Sequence, residues 1–123
     1  VTSTTTGRAV LLRHTSEANF EDWVIRMAER YGWCGFHVRI SLAAVRGVHT
    51  ARRHKHADAY GWPDWIFYKA GGPILYRELK TDLGYVRGDQ KECHARLRSA
   101  GADVGVWRPS DEALILATFR RVA

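Results

Sequence analysis

The stretch GWPDWIFYKAGGPILYRELK, residues 61–80, decides how the rest of the chain is read. Residues 65–69 and 73–80 have the aromatic and aliphatic composition of short strands, and Ala70-Gly71-Gly72 between them predicts a tight reversal. Charged groups stand at the ends remote from that turn. Asp64 precedes the first strand, and Glu78 and Lys80 close the second. Alternate side chains of a strand share a face, so Tyr76, Glu78 and Lys80 point one way and Leu75, Arg77 and Leu79 the other. A hairpin brings Asp64 back beside Glu78, and three charged groups from two adjacent strands then converge on one sheet edge. Arg77 faces away from them and is expected at the surface or in a dimer contact.

Two carboxylates held close repel each other unless a proton or a cation intervenes. Hard oxygen ligands suit Mg²⁺ or Mn²⁺, and a neighbouring lysine can hold an attacking water or neutralise charge developing on phosphorus. The same residues also fit a plainer description, in which Glu78 and Lys80 form a same-face ion pair and Asp64 ends a turn after Pro63. Spacing alone leaves both open.

Outward from the hairpin, SEANFEDWVIRMAERYGW predicts a helix capped by Ser16 and stopped at Gly32. Its apolar stripe is Phe20, Val24, Met27, Ala28 and Tyr31. CGFHVRI, residues 34–40, has strand composition. After the linker TDLGYVRG, DQKECHARLRSAG predicts a second helix with Cys93, Leu97 and Ala100 inward and Gly101 at its C-terminal end. ADVGVW is a last strand, and Ser110 is expected to cap a C-terminal helix through DEALILATF. The order α-β-β-β-α-β-α predicts one mixed α/β domain over residues 16–123, with a central sheet flanked by helices. Residues 1–15 read as a flexible N-terminal arm.

Nineteen Lys and Arg against thirteen Asp and Glu leave a net charge of +6, which favours an acidic partner such as nucleic acid. Much of the excess lies in residues 41–60, where Arg46, Arg52, Arg53 and Lys55 accompany His49, His54 and His56 against the single acid Asp58. This segment reads either as a solvated charged loop or as an arm closing on phosphates through Arg46, Arg52, Arg53, His54 and Lys55. Cys34 and Cys93 lack paired spacing, which disfavours both a disulfide scaffold and a structural zinc site. Cys93 and His94 are adjacent on a helix and cannot face each other as a nucleophile pair. The N-terminal apolar run AVLL is short for a secretion signal, so a soluble, cytoplasmic protein is expected.

In their order, Gly61-Trp62-Pro63-Asp64, Glu78-Leu79-Lys80, Gln90 with Leu97 and Gly101, and Trp107-Arg108-Pro109-Ser110-Asp111 resemble a known family. They look like the PD-(D/E)XK nucleases, and more closely the virus-type replication-repair nuclease (VRR-NUC) branch. The likeness runs from Ser16 to about Leu116. It implies a restriction-endonuclease-like core and a Mg²⁺- or Mn²⁺-dependent endonuclease. Asp64, Glu78 and the main-chain carbonyl of Leu79 would hold the metal, Lys80 would position water, and Gln90 would line the site. An acid from the first helix usually completes such a cluster. Glu17 is preferred over Glu21, because it lies seven residues before Val24 on the inward face. Arg87-Gly88 departs from the Ser-Pro that commonly opens the glutamine helix.

Stand-alone members of the branch resemble Holliday junction resolvases, so branched DNA is the expected substrate and a homodimer the expected assembly. Nucleases for flaps, nicks or ends, and a non-catalytic DNA-binding module of the same fold, are the alternatives.

Overall fold

A computed structural model describes residues 15–38 and 61–121. The basic segment expected to meet phosphates, including Arg46, Arg52, Arg53, His54 and Lys55, lies outside the described residues, as does nearly all of the expected N-terminal arm.

The elements follow in the expected order. Helix α1 (Glu17–Arg30) is followed by β1 (Cys34–His37), β2 (Trp65–Tyr68) and β3 (Leu75–Leu79). Then come α2 (Gly88–Ser99), β4 (Asp103–Trp107), a 3₁₀ turn (Pro109–Asp111) and α3 (Glu112–Arg120). Ser16 caps α1, its side chain accepting the Asn19 N–H at 3.2 Å. Gly32 and Gly101, with φ of 83° and 94°, take the left-handed conformation that ends a helix. Ser110 does not cap α3. It lies inside the 3₁₀ turn, where the Arg108 N–H reaches the Asp111 carboxylate at 2.9 Å and the Ser110 N–H reaches Asp82 Oδ1 at 3.0 Å.

The four strands form one mixed sheet in the order β1-β2-β3-β4. The first three are antiparallel neighbours, and β4 runs parallel to β3. A parallel pair needs a long crossover, which α2 supplies. Trp65 pairs with Arg77 in the β2–β3 register, which sets Asp64 across from Glu78.

One face of the sheet carries the core. Trp65, Phe67, Leu75, Leu79 and Trp107 pack there against Phe20, Trp23, Val24 and Ala28 of α1 and Ile115 and Phe119 of α3. Burying side chains of this size contributes about 1.5–3 kcal/mol each. Trp33 belongs to the same cluster, with its indole N–H donating to the Phe119 carbonyl at 2.9 Å.

Arg77 is buried rather than a surface or dimer-contact residue. Its guanidinium lies 4.7 Å from the Trp107 ring centre, donates to the Tyr76 and Asp103 carbonyls, and pairs with the Asp103 carboxylate at 2.8 Å. A strand residue pointing into the core must be long enough to reach polar partners if it carries a charge, and arginine is. On α2, the buried residues are Gln90 and His94, while Cys93 and Leu97 are half-buried and Ala100 is exposed. Gln90 lies inward as expected, whereas the burial of polar His94 and the exposure of Ala100 are departures that apolar periodicity cannot reveal.

Candidate metal centre

The segment that delivers Asp64 is held by a close backbone approach. Gly61 has φ of 78°, and a Cβ placed on it would lie 2.3 Å from the Asp89 carbonyl oxygen. Glycine is therefore required, and the Gly61-Trp62-Pro63-Asp64 arm rests on the first turn of α2. Pro63 is fully buried, and Trp62 meets Tyr76 edge to face at 5.9 Å.

Asp64 is tied to both neighbouring strands. Its carbonyl accepts the Val38 N–H at 2.8 Å, and its Oδ1 accepts the Leu79 N–H at 3.0 Å. Within a strand a residue's N–H and C=O leave on the same side. The Leu79 carbonyl accordingly points toward the edge where Asp64 sits.

Across the hairpin, Glu78 is 5% exposed and its Oε1 is buried without a hydrogen-bond partner. Its Oε2 stands 3.7 Å from Lys80 Nζ. That lysine's main-chain N–H continues the parallel ladder to the Trp107 carbonyl at 3.0 Å, which fixes where its side chain starts. Asp64, Glu78 and Lys80 are thus brought together as the alternation of the strand demands.

Electrostatics sets this cluster apart from an ordinary ion pair. Burial pushes the Asp64 carboxyl up to about 7, with Glu78 and then Glu21 adding to the rise against the Leu79 N–H. Burial likewise raises Glu78 above the usual carboxylate range. Lys80 and Arg87 oppose that rise, and Glu17 adds to it. Two carboxylates whose charged forms are disfavoured, one with an orphaned buried oxygen, suit a divalent cation: it would stabilise both charges and supply the missing partner.

The first helix offers both of its candidate acids. Glu17, expected on the inward face, is exposed instead and acts on Glu78 through its charge. Glu21 is half-buried and comes closer to Asp64. Glu21, His37 and Asp64 each turn a ligand atom to within 4.8 Å of the other two. Sequence reasoning missed His37. The imidazole ends β1, stacked at 4.7 Å on the Trp65 ring, and only the β1–β2 register puts it beside Asp64.

Gln90 is buried in the first turn of α2, where its Oε1 accepts the Arg87 N–H at 2.9 Å. It closes the end of the helix that a Ser-Pro opening would otherwise cap. Arg108 is a second residue whose role the sequence did not disclose. Its Nη1 donates to the Thr81 and Gly84 carbonyls at 2.5 and 2.8 Å, fastening the chain that leaves Lys80. A run of basic residue, proline and small polar residue carries no signal for such a clamp.

No family model, no curated protein and no solved structure matches this chain. Among the described residues, no helix is long and apolar enough to cross a membrane.

Proposed function

We propose that this chain is a metal-dependent endodeoxyribonuclease of the PD-(D/E)XK type, of the VRR-NUC branch, acting on branched DNA. The observation that carries the reading is the meeting of Asp64, Glu78 and Lys80 at the open end of the β2–β3 hairpin, with Glu78 Oε1 buried and partnerless.

Asp64, Glu78 and the Leu79 carbonyl would hold Mg²⁺ or Mn²⁺, and a bound ion would supply Lewis acidity toward a phosphodiester and a more acidic water. Lys80 holds its ammonium beside Glu78, where it can orient a water or meet charge on a non-bridging phosphate oxygen. Gln90 sets the α2 terminus on which the Asp64 arm rests, so it acts by positioning. The net charge of +6 supports a polyanionic substrate. A two-fold junction is matched most simply by a homodimer.

The test is cleavage of labelled four-way junctions with Mg²⁺ or Mn²⁺ by the wild type, Glu78→Ala and Lys80→Ala. The wild type should cut, and each variant should lose about 10²-fold or more in rate, the scale on which single electrostatic groups act. Equal cutting by all three removes the site assignment. Cutting confined to flaps, nicks or ends, by a protein of monomeric solution mass, would replace the junction substrate while keeping the chemistry.

A further inference from the structure

We infer that Glu21, His37 and Asp64 form a divalent-cation site in which the His37 imidazole selects a first-row transition ion over Mg²⁺. The inference rests on the reading of Asp64 as a cation ligand and goes beyond it by taking Glu21 as the acid from α1 and adding the His37 nitrogen.

Three observations carry it. The first is geometric: one ligand atom from each of the three residues lies within 4.8 Å of the others. Ligands at about 2.1 Å from one ion stand roughly 3 to 4.2 Å apart, so small side-chain movements close the site. The second is rigidity. The ligands come from α1, the end of β1 and the start of β2, and two are already fixed. His37 lies flat on Trp65 at an interplanar angle of 14°, and Asp64 is held through Oδ1 by the Leu79 N–H. The third is the neighbour. Glu78 stands across the hairpin from Asp64, its side chain more than nine-tenths buried and its Oε1 without a partner. That carboxylate is paired with Lys80 through Oε2 but orphaned at Oε1, and it adds to the demand for positive charge beside Asp64.

The donor set decides which ion. Two carboxylates alone suit Mg²⁺, which prefers oxygen and gives up its waters reluctantly. Replacing one oxygen by an imidazole nitrogen shifts preference toward the transition series, in which affinity rises from Mn²⁺ toward Cu²⁺. Mn²⁺ is the weakest binder of that series, and electron paramagnetic resonance reports it directly.

The experiment uses the purified full chain, stripped of metal and without DNA. Mn²⁺ binding is followed by electron paramagnetic resonance, with Mg²⁺ as competitor, for wild type, His37→Phe and Glu21→Gln. Phenylalanine keeps a ring on Trp65 and removes the nitrogen. Wild-type Mn²⁺ should show electron spin-echo modulation from a bound ¹⁴N and resist an excess of Mg²⁺. His37→Phe should lose the modulation and weaken Mn²⁺ binding by no less than the about 10- to 100-fold that losing an outer-sphere partner costs. Its Mg²⁺ affinity should stay within about twofold of wild type. Glu21→Gln should weaken Mn²⁺ while keeping the ¹⁴N signal.

Metal-free melting curves establish that each variant folds, and loss of the ¹⁴N signal in His37→Phe assigns it among the six histidines of the chain. Absence of that signal, its persistence in His37→Phe, or wild-type Mn²⁺ affinity in both variants overturns the site. Because binding is read without DNA, loss of this site leaves the junction test standing. Failure of the junction test likewise leaves the ¹⁴N result intact.

Discussion

At the scale of single residues, the candidate centre is a place where the fold carries a cost. Asp64 is raised from its ordinary 3.8 to about 7, so the metal-free folded protein holds that proton more tightly than the unfolded chain. The stability this contributes is complete below about pH 3.8 and is lost as pH rises through 7. Asp64→Asn removes the titration and keeps an Oδ1 acceptor for the Leu79 N–H. We expect the metal-free variant to match wild type near pH 4 and to exceed it by roughly 2–4 kcal/mol at pH 8. Urea unfolding across that range checks it, and a pH-independent difference would contradict the assignment. The buried His94 slopes the other way: burial lowers its pKa, so its contribution is present above its ordinary 6.5 and is lost as pH falls. Comparing wild type with Asp64→Asn at each pH cancels that trend. The face shared by Glu78 and Lys80 was legible from strand alternation, and the return of Asp64 beside Glu78 from the hairpin, but spacing alone left a plain ion pair equally open. Arg77 was not legible, because its inward face was readable but the Asp103 and Trp107 partners that accept a charge there lie on a strand distant in sequence.

At the scale of elements, the centre depends on contacts between segments. The Gly61 arm touches the start of α2 so closely that any side chain would strike the Asp89 carbonyl, and its φ of 78° is itself unfavourable for other residues. Gly61→Ala is expected to destabilise the protein by about 1–3 kcal/mol and to displace Asp64 from Leu79. Its melting temperature, together with loss of slow exchange at the Leu79 amide, measures the two effects separately. A variant that melts like wild type would show that the arm does not rest on α2. Helix and strand boundaries followed composition and caps closely here, as Ser16, Gly32 and Gly101 show. On α2 the inward Gln90 was legible, but Ala100 is exposed and His94 is buried, because an apolar period cannot signal a histidine turned inward.

For the molecule as a whole, the sheet order makes β3 central and leaves β1 paired on one side among the described residues. Stability should be distributed accordingly. In native-state hydrogen exchange, amides of Leu75–Leu79 should exchange only through global unfolding, while those of Cys34–His37 should open at lower free energy. Equal protection of both strands would mean that further chain covers β1. By itself, the sequence determined the element order, the hairpin and the face shared by Glu78 and Lys80, because caps, turns and strand alternation are local and act within a few residues. Only the tertiary structure decided that Glu21 and His37 meet Asp64, that Arg77 is buried and that Arg108 clamps the chain after Lys80. Those contacts join residues far apart in sequence, and register and packing, rather than local preference, set their distances.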